Sequence, residues 1–135
     1  MQTENCLPKY GPTNPSPEEQ ISMPVKRFAS LIGLKAGKEK YYRELHASVW
    51  PAIIDRLRKS NIRNYSIYIS EIEGKKYLIS YLEYTGDDYE GDMQAIANDP
   101  DTQQWWKETD PCQFRLPSRK PDEKWSDLEM VFLME

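Results

Sequence analysis

The chain has 135 residues, a formal net charge of −4 and two cysteines, which is consistent with one small domain. Acidic and basic residues are interleaved, so no basic stripe is available to bind nucleic acid or an anionic membrane surface. No apolar run approaches the roughly 20 residues of a membrane-spanning helix, and the N-terminus lacks the basic and apolar pattern of an export signal. We therefore expect a cytoplasmic protein, unless an export signal was removed before residue 1.

The first 24 residues differ in composition from the rest of the chain. They hold five of the ten prolines and few aliphatic side chains. Such a segment buries too little apolar surface to offset the entropy that is lost on ordering. We predict that residues 1–24 form a polar, Pro-rich N-terminal arm that is poorly ordered and dispensable for folding, and that residues 25–135 form a single domain.

A strand and a long helix follow the predicted arm. Apolar side chains occupy both faces of a strand over residues 25–34. Gly37 suits the start of a helix over about 39–59. Pro51 lies inside this helix and removes one of its backbone hydrogen bonds, so we predict a kink one turn after His46.

Two further strands, at about 62–71 and 75–85, are predicted to form a hairpin. The connecting segment Glu71-Ile72-Glu73-Gly74 ends in a glycine, which suits a loop of three to five residues. Alternation along the first of these strands puts Tyr65 on its apolar face. Tyr65 is therefore expected to point inward.

Two helical segments and a last strand complete the chain. The helices, at about 87–98 and from 101 onward, are separated by Asn98-Asp99-Pro100, and the second ends by Pro111. The last strand is predicted over 127–134. The order of strand, helix, strand, strand, helix, strand is typical of a ferredoxin-like α+β sandwich, a four-stranded antiparallel sheet with two helices on one face.

The predicted strands are apolar on both faces, although two helices cover only one face of such a sheet. A second copy of the chain is the simplest cover for the other face. We therefore predict a homodimer of the dimeric α+β barrel type.

His46, the only histidine, is the first candidate for chemistry. Tyr42 lies four residues earlier, so the two side chains share one face of the predicted helix. A histidine in this position is either a core residue bonded to a carbonyl group or an acid/base group beside a phenol. The helix alone does not decide between these two interpretations.

One histidine without cysteine partners is a poor ligand set for a transition metal. The sequence also lacks a glycine-rich phosphate loop and a Gly-x-Ser-x-Gly motif. We therefore expect no metal and no cofactor. What remains is an imidazole with phenols in an aromatic pocket, which suits the C–H faces and hydroxyls of a sugar. The candidates are Tyr42, His46 and Tyr65, with Trp50, Trp105 and Trp106 as walls.

Four short motifs between Arg27 and Leu133 carry a resemblance to a known family. They are Tyr42-x-x-x-His46 followed by Val49-Trp50-Pro51, then Asn64-Tyr65-Ser66-Ile67-Tyr68, then Gln104-Trp105-Trp106-Lys107, and finally Glu129-x-Val131-Phe132. In this order and spacing they closely resemble the L-rhamnose mutarotase family. The N-terminal arm is the part of the chain that the family core does not need.

The resemblance implies a dimeric ferredoxin-like isomerase without cofactor that interconverts the α and β anomers of L-rhamnose. By the same resemblance His46 is the catalytic proton donor, and Tyr42 and Tyr65 bind the substrate. Trp105 and Trp106 line the sugar site, although adjacent helical residues diverge by about 100°, so at most one should point deep inside. A part for Tyr65 in proton transfer is a further expectation.

Two other classes of function fit the same pattern. Dimeric ferredoxin-like domains also include cofactor-free monooxygenases and haem-binding proteins. A non-catalytic sugar-binding or interaction module would use the same aromatic side chains, with His46 only as a hydrogen-bonding group. The preferred sugar is also open, since L-mannose and L-lyxose are close relatives of L-rhamnose.

Overall fold

An antiparallel sheet forms the centre of the protein, in a computed structural model that describes residues 7 and 9–135. Within these residues five strands are present; the second, third, first and fourth in the chain lie side by side in that order, and the fifth also pairs with the first. Helices pack against one face of the sheet, so the predicted α+β sandwich is confirmed. The strands are β1 (Lys26–Leu34), β2 (Ile62–Ile72), β3 (Lys75–Tyr84), β4 (Gln113–Phe114) and β5 (Ser126–Asp127).

Five α-helices occur in the described part of the chain. Two short 3₁₀ turns, Ala36–Lys38 and Asp110–Cys112, precede the second and follow the fifth of these helices. None of these helices is long and apolar enough to cross a membrane. The helices are α1 (Pro17–Ile21), α2 (Glu39–Ala47), α3 (Pro51–Lys59), α4 (Tyr89–Asn98) and α5 (Pro100–Thr109).

The core lies between the sheet and the helices. Strand β1 pairs with β3 in register from Lys26 opposite Tyr84 to Leu34 opposite Lys76. The alternate residues of β1 and β3 that face the helices are therefore brought side by side. The largest buried cluster contains Ile32, Leu34, Tyr42, Leu78 and Cys112.

The predicted kink in one long helix over 39–59 is wrong, because the structure has two separate helices. Helix α2 ends at Ala47, and α3 begins at Pro51. The residue before a proline avoids the helical conformation, and Trp50 has a ψ of 133°. Proline in turn suits the first position of a new helix, where its missing N–H is not needed.

Helices α4 and α5 begin at aspartate caps. The Asp88 side chain accepts a hydrogen bond from the backbone of Gly91, and the Asp99 side chain accepts one from Thr102, as expected for N-caps. The predicted break between α4 and α5 is confirmed. Gly37 does not cap α2, since it lies within the 3₁₀ turn that precedes this helix.

The hairpin between β2 and β3 is confirmed, but its turn is shorter than predicted. The strands extend to Ile72 and from Lys75, which leaves a turn of two residues. Glu73 and Gly74 have φ values of 50° and 81°. Two successive positive φ values match the twist of an antiparallel hairpin.

The predicted last strand over 127–134 is wrong. Strand β5 ends at Asp127. Both β4 and β5 pair with the same edge of β1, β4 with Gly33 and Leu34 and β5 with Ser30 and Leu31. The following residues are apolar on alternate positions, yet Val131 and Phe132 are 75% and 61% exposed. An alternating pattern forms a strand only where an edge is free to pair and a face can be buried, and this chain alone does not supply both.

The described part of the arm contains regular structure that its composition did not predict. Helix α1 is capped by Ser16 and Glu19, whose side chains bond each other's backbone N–H groups. The carbonyl oxygen of Thr13 accepts a hydrogen bond from the N–H of Leu133 at 2.9 Å. The arm therefore contacts the C-terminal tail, and its dispensability for folding stays a prediction. The rest of the arm lies outside the described residues.

Candidate active site

Helix α2 places His46 against Tyr42 in two ways. The two rings stack with centroids 4.1 Å apart and an interplanar angle of 24°. Nδ1 of His46 also lies 2.9 Å from the carbonyl oxygen of Tyr42. Because a carbonyl oxygen only accepts hydrogen bonds, Nδ1 carries the proton, and Nε2 of the neutral ring is left as an acceptor.

The opposite side of the imidazole is closed by tryptophans. The ring of Trp105, on α5, approaches His46 edge-on with centroids 5.3 Å apart. Trp50 lies at the break between α2 and α3 and packs against the Trp105 indole, with ring centroids 5.0 Å apart. His46 is therefore held between one stacked phenol and one buried indole, and only part of its ring faces open space.

Tyr65 reaches the same place from the sheet. It lies on edge strand β2, at a register shift between Arg63 and Ser66, and lines a cavity of about 290 Å³ together with His46. This volume is at the small end of ligand pockets and fits a monosaccharide better than a larger molecule. The other lining residues are Val49, Ile53, Ile54, Leu57, Ile67 and Trp105.

A second cavity of about 520 Å³ lies on the Tyr42 side of the imidazole. His46 and Ile67 line both cavities, so the imidazole lies where they meet. The second cavity is more polar because Arg43 and Tyr68 reach it. We call the two cavities together the crevice.

Burial shifts the proton affinities of the three candidate groups. It lowers the pKa of His46 below its ordinary value of 6.5, and the hydrogen bond to the Tyr42 carbonyl offsets only part of this effect. Burial raises the pKa of the Tyr65 phenol. It also raises the pKa of Tyr42, with a smaller contribution from the nearby Tyr65. At neutral pH the imidazole is therefore uncharged and both phenols keep their protons.

Tyr65 is less enclosed than its shifted pKa suggests. The whole residue is 42% exposed, because it lies at the mouth of the cavity. Protein atoms nevertheless surround the phenol closely enough to disfavour the phenolate. This position leaves the hydroxyl reachable by a ligand that enters from solvent.

The paired tryptophans separate as expected from their spacing on a helix. Trp105 is 6% exposed, whereas Trp106 is 37% exposed and lines neither cavity of the crevice. The Lys124 ammonium lies 5.9 Å from the centroid of the Trp106 ring, a distance typical of a cation–π contact. The structure therefore brings together Tyr42, His46, Tyr65 and Trp105, and it leaves Trp106 outside this group.

Several lining residues were not named as candidates from the sequence. Ile53 and Leu57 continue the helical face of His46 across the break, so their periodicity was a usable signal. Arg43 and Tyr68 gave no such signal, because each occupies an ordinary exposed position of its helix or strand. Within the described residues, no cluster of three or more His, Cys, Asp or Glu side chains is arranged to hold a metal ion.

Fold and site together define a small α+β sandwich with one neutral imidazole and two protonated phenols around a crevice, and the smaller cavity of this crevice has the size of a monosaccharide. A family model for L-rhamnose mutarotase matches residues 27–134. The chain belongs to the L-rhamnose mutarotase family, as its motifs predicted.

Individual relatives agree with this assignment. The chain is 29% identical over 87 residues to an L-rhamnose mutarotase of Bacillus subtilis, which covers 64% of this chain and 79% of that protein. It is 33% identical over 82 residues to an L-rhamnose mutarotase of Bacteroides thetaiotaomicron, and the match covers 61% of this chain and 74% of that protein. The crystal structure of an L-rhamnose mutarotase from Formosa agariphila superposes with a TM-score of 0.60 at 26% identity, covering 82% of this chain and 99% of that one.

Proposed function

We propose that this protein is a mutarotase that interconverts the α and β anomers of L-rhamnose, or of a close relative, without a cofactor. The observation that carries the proposal is the uncharged imidazole of His46, stacked on Tyr42 and facing a monosaccharide-sized cavity that Tyr65 also lines. Family membership supports the same reaction. Mutarotation needs only proton transfer, and an imidazole and phenols are groups that can carry it out.

The reaction opens and recloses the hemiacetal. His46 Nε2 takes the proton of the anomeric hydroxyl, the C1–O1 bond becomes a carbonyl, and the C1–O5 bond breaks. The ring oxygen O5 takes a proton from a phenol, for which Tyr65 is the candidate. After rotation about C1–C2, the ring oxygen attacks the other face of the aldehyde. The phenol regains its proton from O5, and the imidazolium returns its own to O1, so His46 acts as proton donor in the closing step.

The cavity also suggests how the sugar is oriented. Beyond His46, Tyr65 and Trp105 its lining is aliphatic, and Ile53, Ile54 and Leu57 of α3 form much of it. L-Rhamnose is a 6-deoxy sugar, and transfer of its methyl group from water to this aliphatic lining is favourable in free energy. The hydroxymethyl group of L-mannose would lose hydrogen bonds with water in the same place. We therefore orient the methyl group toward α3 and the anomeric carbon toward His46.

Magnetisation exchange between the α and β anomeric protons of L-rhamnose, measured by NMR with and without the protein, tests this proposal. Faster exchange that depends on His46 is expected. Tight sugar binding without faster exchange would instead favour a binding module. A Soret band on titration with haem would favour the haem-binding class.

We also propose that the protein is a homodimer and works in the cytoplasm. The sheet face away from the helices carries Leu31, Tyr77, Ile79 and Tyr81, none of which is fully buried in the single chain. An apolar face of this kind favours self-association. The buried Cys112 thiol is free, as is usual in a reducing compartment.

A further inference from the structure

Trp50 was predicted as a wall of the pocket, but it lines neither cavity of the crevice. It lies in the Val49-Trp50-Pro51 motif, directly before α3, and it is 37% exposed. Any role of Trp50 at the site must therefore pass through the residues that it contacts.

The backbone of Trp50 holds the first turn of α3. Its carbonyl oxygen accepts hydrogen bonds from the N–H groups of Ile53 at 2.9 Å and Ile54 at 3.4 Å. Pro51 follows at the start of the helix, where its fixed φ suits the first helical position. Ile53 and Ile54 both line the smaller cavity. The position of Trp50 is therefore fixed relative to one wall of that cavity.

The side chain of Trp50 reaches the imidazole through one intermediate ring. It packs against Trp105 in a T-shaped arrangement, with centroids 5.0 Å apart and an interplanar angle of 76°. Trp105 in turn packs against His46, with centroids 5.3 Å apart and an angle of 66°. Both distances are within the range of roughly 4.5–7 Å that is typical of edge-to-face aromatic pairs. The three rings therefore form a continuous series of contacts from the protein surface to the imidazole.

These three rings belong to different segments of the chain. His46 is in the last turn of α2, Trp105 is on α5, and Trp50 is in the break that follows α2. Backbone structure alone therefore does not fix the Trp105 indole relative to the imidazole. An aliphatic residue in place of Trp50 could cover the same apolar surface, but only an aromatic ring prefers the T-shaped geometry. The contact thus supplies orientation in addition to burial.

We propose that Trp50 is a positioning residue that acts on His46 through Trp105. Its ring holds the Trp105 indole in one orientation, and the indole closes the side of the imidazole that the Tyr42 stack leaves open. The imidazole is then held in the plane that presents Nε2 to the sugar. This inference rests on the proposed function, since it concerns the same acid/base group.

The first test is Trp50→Leu, which keeps an apolar side chain and removes the ring. We expect kcat to fall roughly 10-fold or more, because small misplacements of a reacting group are costly. KM should rise by a smaller factor, since Trp105 also lines the smaller cavity. Trp50→Phe keeps an aromatic ring and should recover most of kcat.

The single histidine allows a second measurement without sugar. The NMR chemical shifts of the His46 ring protons depend on how the neighbouring aromatic rings are oriented. These shifts should change in Trp50→Leu by more than in Trp50→Phe. Unchanged shifts in Trp50→Leu would show that the imidazole is held without Trp50.

Phe28→Leu is the matched control. Phe28 is also 37% exposed and stacks on one aromatic ring, that of Tyr89, with centroids 4.9 Å apart. It lines neither cavity of the crevice. We expect a decrease in Tm similar to that of Trp50→Leu, with native kcat and native His46 shifts. An equal loss of kcat in this control would reduce the effect of Trp50 to a general loss of stability and overturn the proposal.

A double-mutant cycle tests whether Trp50 acts through Trp105. In a Trp105→Leu background, Trp50→Leu should cost little further kcat. Fully additive losses, native kcat in Trp50→Leu, or equal losses in Trp50→Leu and Trp50→Phe would overturn the proposal. If Trp50→Leu does not fold, Trp50→Met also lacks a ring, and the same measurements apply. Absence of anomeric exchange in the wild-type protein would refute the proposed function, while the His46 shifts would still decide the role of Trp50.

Discussion

The carbonyl oxygen of Tyr42 and Nδ1 of His46 lie 2.9 Å apart, one helical turn from each other. The tautomer of the histidine is therefore set by backbone rather than by a second side chain. This contact is independent of the Tyr42 ring, so Tyr42→Phe should leave the protonated nitrogen unchanged. Only the hydroxyl and what it contacts are altered.

His46→Ala is expected to reduce the rate of anomeric exchange on the order of 10²-fold or more, because it removes a lone acid/base group. The rate is measured by NMR magnetisation exchange on L-rhamnose, and Tm is measured beside it. A variant with near-native exchange and a sharply lowered Tm would show that His46 is a buried structural residue. The proton donor would then have to be a tyrosine.

Tyr65→Phe keeps the ring and removes only the hydroxyl. If the phenol protonates the ring oxygen, the loss in kcat should be comparable to that of His46→Ala. If it only binds the sugar, KM should rise while kcat changes little. Tyr77→Phe, on the sheet face away from the helices, controls for the loss of a tyrosine hydroxyl in general, and an equal effect there would remove any special role for Tyr65.

The pH dependence of the rate should follow His46. Burial lowers its pKa, and the proposed reaction needs the neutral ring, so kcat/KM should rise with pH, with a midpoint below 6.5, and level off by neutral pH. The free energy of unfolding should also fall at low pH. The unfolded chain binds a proton on His46 more readily than the folded one, so stability is lost as the pH falls below 6.5. NMR titration of the single histidine gives the midpoint directly, and a value above 6.5 would contradict this account.

Ile54→Asn should reduce the preference for L-rhamnose over L-mannose. The change places an amide at the aliphatic end of the cavity, where it disfavours a methyl group and offers hydrogen bonds to a hydroxymethyl group. The measured quantity is the ratio of kcat/KM for the two sugars. Ile72→Asn, at an exposed position at the end of β2, is the control, and an equal loss for both sugars would place the methyl group elsewhere.

Sedimentation should show a dimer at micromolar concentration. Ile79→Asp puts a charge on the apolar sheet face and should shift the protein toward monomer, since a C2 interface buries each substitution twice. Glu71→Asp, at an exposed position of β2, leaves the charge and the face unaltered and serves as the control. A wild-type protein that sediments as a monomer of about the 15.9 kDa chain mass would refute the dimer.

The sequence predicted those parts of the structure that depend on local periodicity. The inward face of α2 with Tyr42 and His46, the β2–β3 hairpin and the opposite directions of Trp105 and Trp106 all follow from fixed helix and strand geometry. The tail after Asp127 was predicted wrongly because strand formation needs a free edge, and edges are a tertiary property.

The break between α2 and α3 also affects where charge is stabilised. It leaves His46 in the last turn of α2, where the final carbonyl groups of a helix carry a partial negative charge. In the proposed reaction, a proton that arrives on the imidazole is therefore stabilised by the negative end of a helix macrodipole. In an unbroken helix over 39–59 the same carbonyls would be hydrogen-bonded within the helix, and His46 would lack this support.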